Sequence, residues 1–137
     1  MTAAQLATLY RRRAVALERE IRKTSRSIGQ NAVRTSRHFM EEQIYSVPED
    51  RTAAGKAKWQ RTRKLLRGEK YEVLANLAVR VYNEADYAEP RHEAGKPGHR
   101  KINPLRVSHW RDEMIEVMRP IALEGWAAAV RDALRTP

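Results

Sequence analysis

AQLATLYRRRAVALEREIRKTSRSIGQNAVRTSRHFMEEQ, residues 4–43, contains no proline and one glycine. Apolar or small residues recur in it at Leu6, Tyr10, Ala14, Leu17, Ile21, Ser25, Ile28, Ala32, Ser36 and Phe39. Every step is three or four residues, the period of one face of an α-helix. Thr2 suits the N-cap, and Val47-Pro48 a stop, because proline disfavours the helical conformation of the residue before it. The spacing therefore predicts a long helix over about 4–45. At about 1.5 Å per residue it would run to roughly 60 Å, whereas a compact domain of this length is only about 35–40 Å across. Two outcomes are open. The helix breaks, with Thr24-Ser25-Arg26-Ser27-Ile28-Gly29 as its weakest stretch because it holds poor helix formers. Or it projects beyond its own domain, and the overhanging apolar stripe needs a partner.

Downstream of this helix the chain turns basic. Arg51, Lys56, Lys58, Arg61, Arg63, Lys64, Arg67 and, just beyond, Lys70 crowd together with few acids between them. No apolar stripe precedes Trp59, so residues 46–68 read as a long basic loop ending in a short helix near Trp59–Leu66. Leu77, Val79 and Val81 then alternate with Ala78, Arg80 and Tyr82, as in a half-buried strand. Tyr71-Glu72-Val73 is the partner strand, across a turn near Ala75-Asn76, which gives a β-hairpin over about 69–83. Residues 84–107 are loop, since Pro90, Gly95, Pro97, Gly98 and Pro104 forbid regular structure. Ser108 caps a final helix over 108–135, with Asp112 and Glu113 facing the positive end of its dipole. Its apolar stripe runs Trp110, Met114, Val117, Ile121, then shifts to Leu123, Trp126, Val130 and Leu134. Pro120 sits at the change of phase and predicts a kink or break. The fold class is α+β: one domain of 137 residues, with two major helices packed on a small antiparallel sheet.

The formal net charge of +10 implies attraction to polyanions, whether nucleic acid, an anionic membrane or an acidic protein. With no cysteine, disulfides and thiolate chemistry are excluded. No apolar run approaches the ~20 residues that span a bilayer, and the first residues lack the order of regions of a secretory signal. A cytoplasmic protein with no membrane partner is the expectation.

Catalytic and metal chemistry find little support. His92, His99 and His109 share the loop region with Glu93, but their spacing matches neither H-E-x-x-H nor a finger pattern. His38 lies within helical reach of Glu41 and Glu42, which accounts for it as a charge contact. No G-x-S-x-G turn displays a nucleophile, and Gly95-Lys96-Pro97-Gly98 is too short for a phosphate loop. No enzyme activity and no cofactor is expected. The basic segment is the candidate site, and Arg51, Lys56, Lys58, Arg61, Arg63, Lys64, Arg67 and Lys70 could neutralise several phosphates. Trp59 stands there without interleaved aromatics, which argues against a single-strand stacking platform. Direct polyanion contact, an acidic protein partner and a merely solvated face remain open.

The order of features resembles a family. A long helix leads to Trp59-Gln60-Arg61-Thr62-Arg63-Lys64-Leu65-Leu66, then to Val81-Tyr82-Asn83-Glu84-Ala85-Asp86-Tyr87-Ala88, then to Arg91-His92-Glu93-Ala94-Gly95 and a closing helix. Over roughly Trp59–Val130 this is similar to the head–tail joining and tail-component proteins of tailed bacteriophages. The chain departs from that pattern at Thr62-Arg63, where the family commonly has threonine-glycine, and at Asn103-Pro104-Leu105, where it has proline-phenylalanine. The resemblance implies a structural virion protein, assembled in the host cytoplasm. It would form a homo-oligomeric ring at the neck or at the head-proximal end of the tail, as connector or tail-completion (terminator) protein. The partners implied are further copies of itself, neighbouring connector, neck or tail proteins, and DNA met non-specifically in the channel. On that reading Leu6, Tyr10, Leu17 and Ile21 of the long helix and Leu77, Val79 and Val81 of the hairpin are the candidate subunit interface. The alternative is a basic nucleic-acid-binding accessory protein.

Overall fold

The structure, a computed structural model, describes residues 1–45, 64–85 and 109–135. The architecture is α+β: a long N-terminal helix, a C-terminal helix and a two-stranded antiparallel sheet. Of the long basic loop, Arg51, Lys56, Lys58, Arg61 and Arg63 lie outside the described residues, as do Ser108 and the proline-rich stretch before it.

Helix α1 spans Ala3–Met40 and passes into a π-helical turn over Glu41–Tyr45. It begins at a complete capping box. The Gln5 amide donates to Thr2 Oγ1 at 3.1 Å, and the Thr2 amide donates to Gln5 Oε1 at 2.8 Å. The expected weak point does not break. Ser25 and Gly29, poor helix formers, both lie on its buried face. They are small because other elements come close there. A methyl group added at Gly29 would reach within 2.6 Å of Tyr71 Cγ, so glycine makes room for the hairpin's ring. Gly29→Ala should therefore lower stability despite a better helix former. The overlap costs about 1–3 kcal/mol against a propensity gain of about 1 kcal/mol, so thermal melting should show a lower midpoint. A rise would mean that Tyr71 swings away freely.

Helix α2 is one short turn, Lys64–Arg67, followed by strands β1, Glu69–Val73, and β2, Val79–Asn83. Their register pairs Glu69 with Asn83, Tyr71 with Val81 and Val73 with Val79. The turn falls where the sequence places it. The Leu77 amide donates to Leu74 O at 2.9 Å, and the Ala78 amide to Asn76 Oδ1 at 3.2 Å. Leu77 itself is a correction. It lies in the turn rather than in the strand, with φ of 68°, a left-handed conformation uncommon for a leucine. That conformation is held from outside. Ser25, fully buried, donates to Leu77 O at 2.7 Å and accepts from Trp126 Nε1 at 2.9 Å, which ties the turn to both long helices. Ser25→Ala strands the indole N–H and the carbonyl together, and about 1–3 kcal/mol should be lost, read as a lower denaturant midpoint. Ser25→Thr, which keeps the hydroxyl, should recover part of that loss if the relay is the cause.

Helix α3, Trp110–Arg135, runs antiparallel to α1: Thr35 meets Met118 and Ser25 meets Trp126. One expectation for it is narrowed and another is corrected in part. The helix runs through Pro120, which lies on the solvent side, without a break there. The buried stripe is Trp110, Met114, Met118, Ala122, Ala129 and Ala133, whereas Val117, Ile121, Leu123 and Leu134 are exposed. Large residues fill the inner face as far as Met118; beyond it the small Ala122, Ala129 and Ala133 take that face, and larger aliphatics are left outside. The core has two centres. Met40, Ile44, Leu65, Ala85 and Trp110 gather near the π-turn, and Ile28, Ala32, Met114, Met118 and Ala122 lie between the long helices.

Candidate interaction surfaces

The basic segment rejoins the described fold through Leu65, which is almost fully buried. Bonds from three other elements hold this turn among the described residues. Asn83 Nδ2 donates to Leu65 O at 2.7 Å, Arg37 Nε donates to Leu66 O at 3.2 Å, and the Leu66 amide donates to Tyr45 Oη at 3.3 Å. Lys64 opens α2, and of the cations that follow Leu65, Arg67 is exposed at the end of α2 and Lys70 is exposed on β1. Lys70 borders a surface recess with Gln30, Arg34, Arg37 and Tyr71. Arg34 and Arg37 were not among the sequence-derived candidates. They sit in a helix, where charges separated by several residues become neighbours in space.

Beneath this recess lies a buried polar hub. The Glu69 side chain is 0% exposed, and its carboxylate accepts from Arg111 Nη2 at 2.8 Å, Trp110 Nε1 at 3.3 Å and Asn83 Nδ2 at 3.5 Å. Arg37 Nη2 donates to the Glu69 carbonyl, and Arg111 Nη1 to that of Val81 at 2.8 Å. One carboxylate thus joins α3 to both strands, and Arg37 adds α1. A buried carboxylate requires such partners. Its sequence signature is weak, because a glutamate at the start of a strand ordinarily reads as solvated.

The interface candidates also separate. Leu6 and Tyr10 are 42% and 62% exposed, while Leu17 and Ile21 are half-buried. Continuing the pairing of Ser25 with Trp126 places the end of α3 level with about residue 16 of α1. About 18 Å of α1 therefore extends past its packing partner. Val79 and Val81 are half-buried and form one wall of an apolar groove of about 310 Å³, with Met114, Ile115, Met118 and Leu123 of α3 opposite. Leu77 is half-buried in the turn and stands apart from that wall.

No protein-family model, curated protein or solved structure matches this chain. Among the described residues, no group of His, Asp and Glu side chains is placed to hold a metal, and no helix is long and apolar enough to cross a membrane.

Proposed function

We propose that the chain is a structural assembly protein that closes a ring of its own copies at the neck or head-proximal tail end of a tailed phage, as connector or tail-completion protein. The observation that carries this reading is the overhang of α1. A helix that outruns its partner while presenting Leu6, Tyr10 and Val15 to solvent exposes apolar surface that a neighbouring copy would bury. The other half of such a contact is available on the outer side of α3, where Leu123 and Leu134 are 61% and 57% exposed. An overhang at one place and an apolar face at another make a head-to-tail contact, the kind that closes into rings. The two strands pair only with each other among the described residues, and a sheet edge is where a further strand pairs, although Arg37 and Arg111 occupy the outward carbonyls of Glu69 and Val81. Assembly, with no catalytic residue, is the role this supports, and the basic segment would meet DNA in the channel or an acidic neighbouring ring.

The test is absolute mass by light scattering coupled to size exclusion, at low and high salt. A discrete large oligomer that persists in salt supports the ring. A monomer at all concentrations, also when mixed with lysate of phage-infected cells, rules it out and leaves the nucleic-acid-binding reading.

A further inference from the structure

Helix α1 carries a second periodicity, made of charge. Arg12, Arg19, Lys23, Arg26 and Arg34 fall on one edge of the helix, with Ala16 and Gln30 filling the intermediate positions, so that every step is three or four residues. All five cations are exposed, on the edge away from the buried Ile28, Ala32 and Ser36. Arg12 to Arg34 spans about 33 Å of helix axis. Among the described residues none of the five forms an ion pair; Arg34 donates to Asn31 Oδ1 at 3.3 Å. The acids of this half lie elsewhere. Glu18, across the helix, is held by Arg22 at 3.1 Å, and Glu20 projects about a quarter-turn away. At the far end Lys70 continues the line across the recess it shares with Gln30 and Arg34.

We propose that this edge is a track for the phosphate backbone of duplex DNA. The chemistry favours phosphate, since four of the five cations are arginines, whose planar fork matches phosphate oxygens. About 33 Å of duplex axis carries roughly twenty phosphates on its two strands, several times the five cations of the track. A helix lying on a membrane instead inserts its apolar face among the lipids, and over residues 25–40 that face of α1 is already buried in this fold. No aromatic side chain stands on the track, so it stacks no bases and reads no sequence. The track belongs to one protomer and differs from the basic loop, so it stands or falls separately from ring closure.

The experiment is fluorescence anisotropy of a labelled duplex about 30 base pairs long, titrated between about 50 and 200 mM salt. Arg19→Gln/Lys23→Gln/Arg26→Gln/Arg34→Gln should flatten the slope of log affinity against log salt by about 3–4, because each lost phosphate contact removes about 0.9. Glutamine has nearly the same helix propensity, so circular dichroism and the melting midpoint should stay put. Arg19→Lys/Arg26→Lys/Arg34→Lys, which keeps the charge, should keep the slope. Loss of affinity should be equal for unrelated duplex sequences. Three results overturn the proposal: no duplex binding by the unaltered chain at the lowest salt, an unchanged slope in the glutamine variant, or binding to phosphatidylserine vesicles or polyglutamate in preference to duplex. A monomer that binds duplex with the expected slope keeps the track and removes the ring, whereas a ring with an unaltered slope does the reverse.

Discussion

Glu69→Ala should be the most damaging single substitution in the described fold, lowering the unfolding free energy by about 3–5 kcal/mol. The carboxylate is fully buried, and the Arg111 side chain that it holds at 2.8 Å is only 20% exposed. Removing the acid leaves a largely desolvated guanidinium without its counter-charge, and it takes away the carboxylate acceptor that the indole N–H of the fully buried Trp110 has in Glu69. Both penalties come from what remains rather than from what is lost. The comparison that isolates burial is Glu72→Ala, which breaks an exposed pair with Arg80 at 2.9 Å and should cost no more than about 1 kcal/mol. Urea unfolding with an unchanged m-value is the measurement. Equal midpoints for the two variants would mean that the Glu69 hub contributes nothing beyond an ordinary surface contact. The double variant Glu69→Leu/Arg111→Met should recover much of the loss, since an apolar pair of similar volume often replaces a buried ion pair without cost.

The second large effect concerns assembly and should leave the protomer's stability untouched. Leu6→Glu/Tyr10→Glu should convert a ring into monomers. Each side chain, if buried against a neighbour, contributes about 1.5–3 kcal/mol, so losing both weakens each contact by roughly a hundredfold to ten-thousandfold. Neither residue is buried within the chain, so the melting temperature of the monomer should not move. Light scattering reads the mass and calorimetry the melting. An unchanged mass would free the overhang from any part in assembly. A fall in melting temperature without a change in mass would place Leu6 and Tyr10 against their own chain instead.

The long helix and the hairpin were legible because their signals are periodic and unopposed. Ten apolar or small positions keep helical step from Leu6 to Phe39, and strand alternation holds at Val79 and Val81. The inner face of α3 is legible only at its start, where Trp110 and Met114 are buried as expected. That helix is apolar on two sides, so a reading by size selects Val117, Ile121, Leu123 and Leu134, while close packing selects Ala122, Ala129 and Ala133. Leu77 was missed because turns with positive φ announce themselves through glycine or asparagine, and here an external hydrogen bond from Ser25 holds a leucine in that shape. Propensity makes Thr24–Gly29 a weakness because it counts only the helix's own cost, whereas Ser25 and Gly29 are sites where the turn and the hairpin close on it. The cations of α1 are hidden in the linear sequence for a related reason. They are diluted by intervening residues, unlike the crowded cations after residue 50, and only the helical period lines them up.

The unbroken course of α1 also has a mechanical meaning. Its free tip and its seat under the hairpin belong to one stiff rod, with Thr2 capping one end and the π-turn closing the other. A load applied at Leu6 has no soft joint in which to dissipate before it reaches the Ser25 and Gly29 contacts. A partner that gripped its tip would bear on the seat of the hairpin some 30 Å away, through one continuous helix.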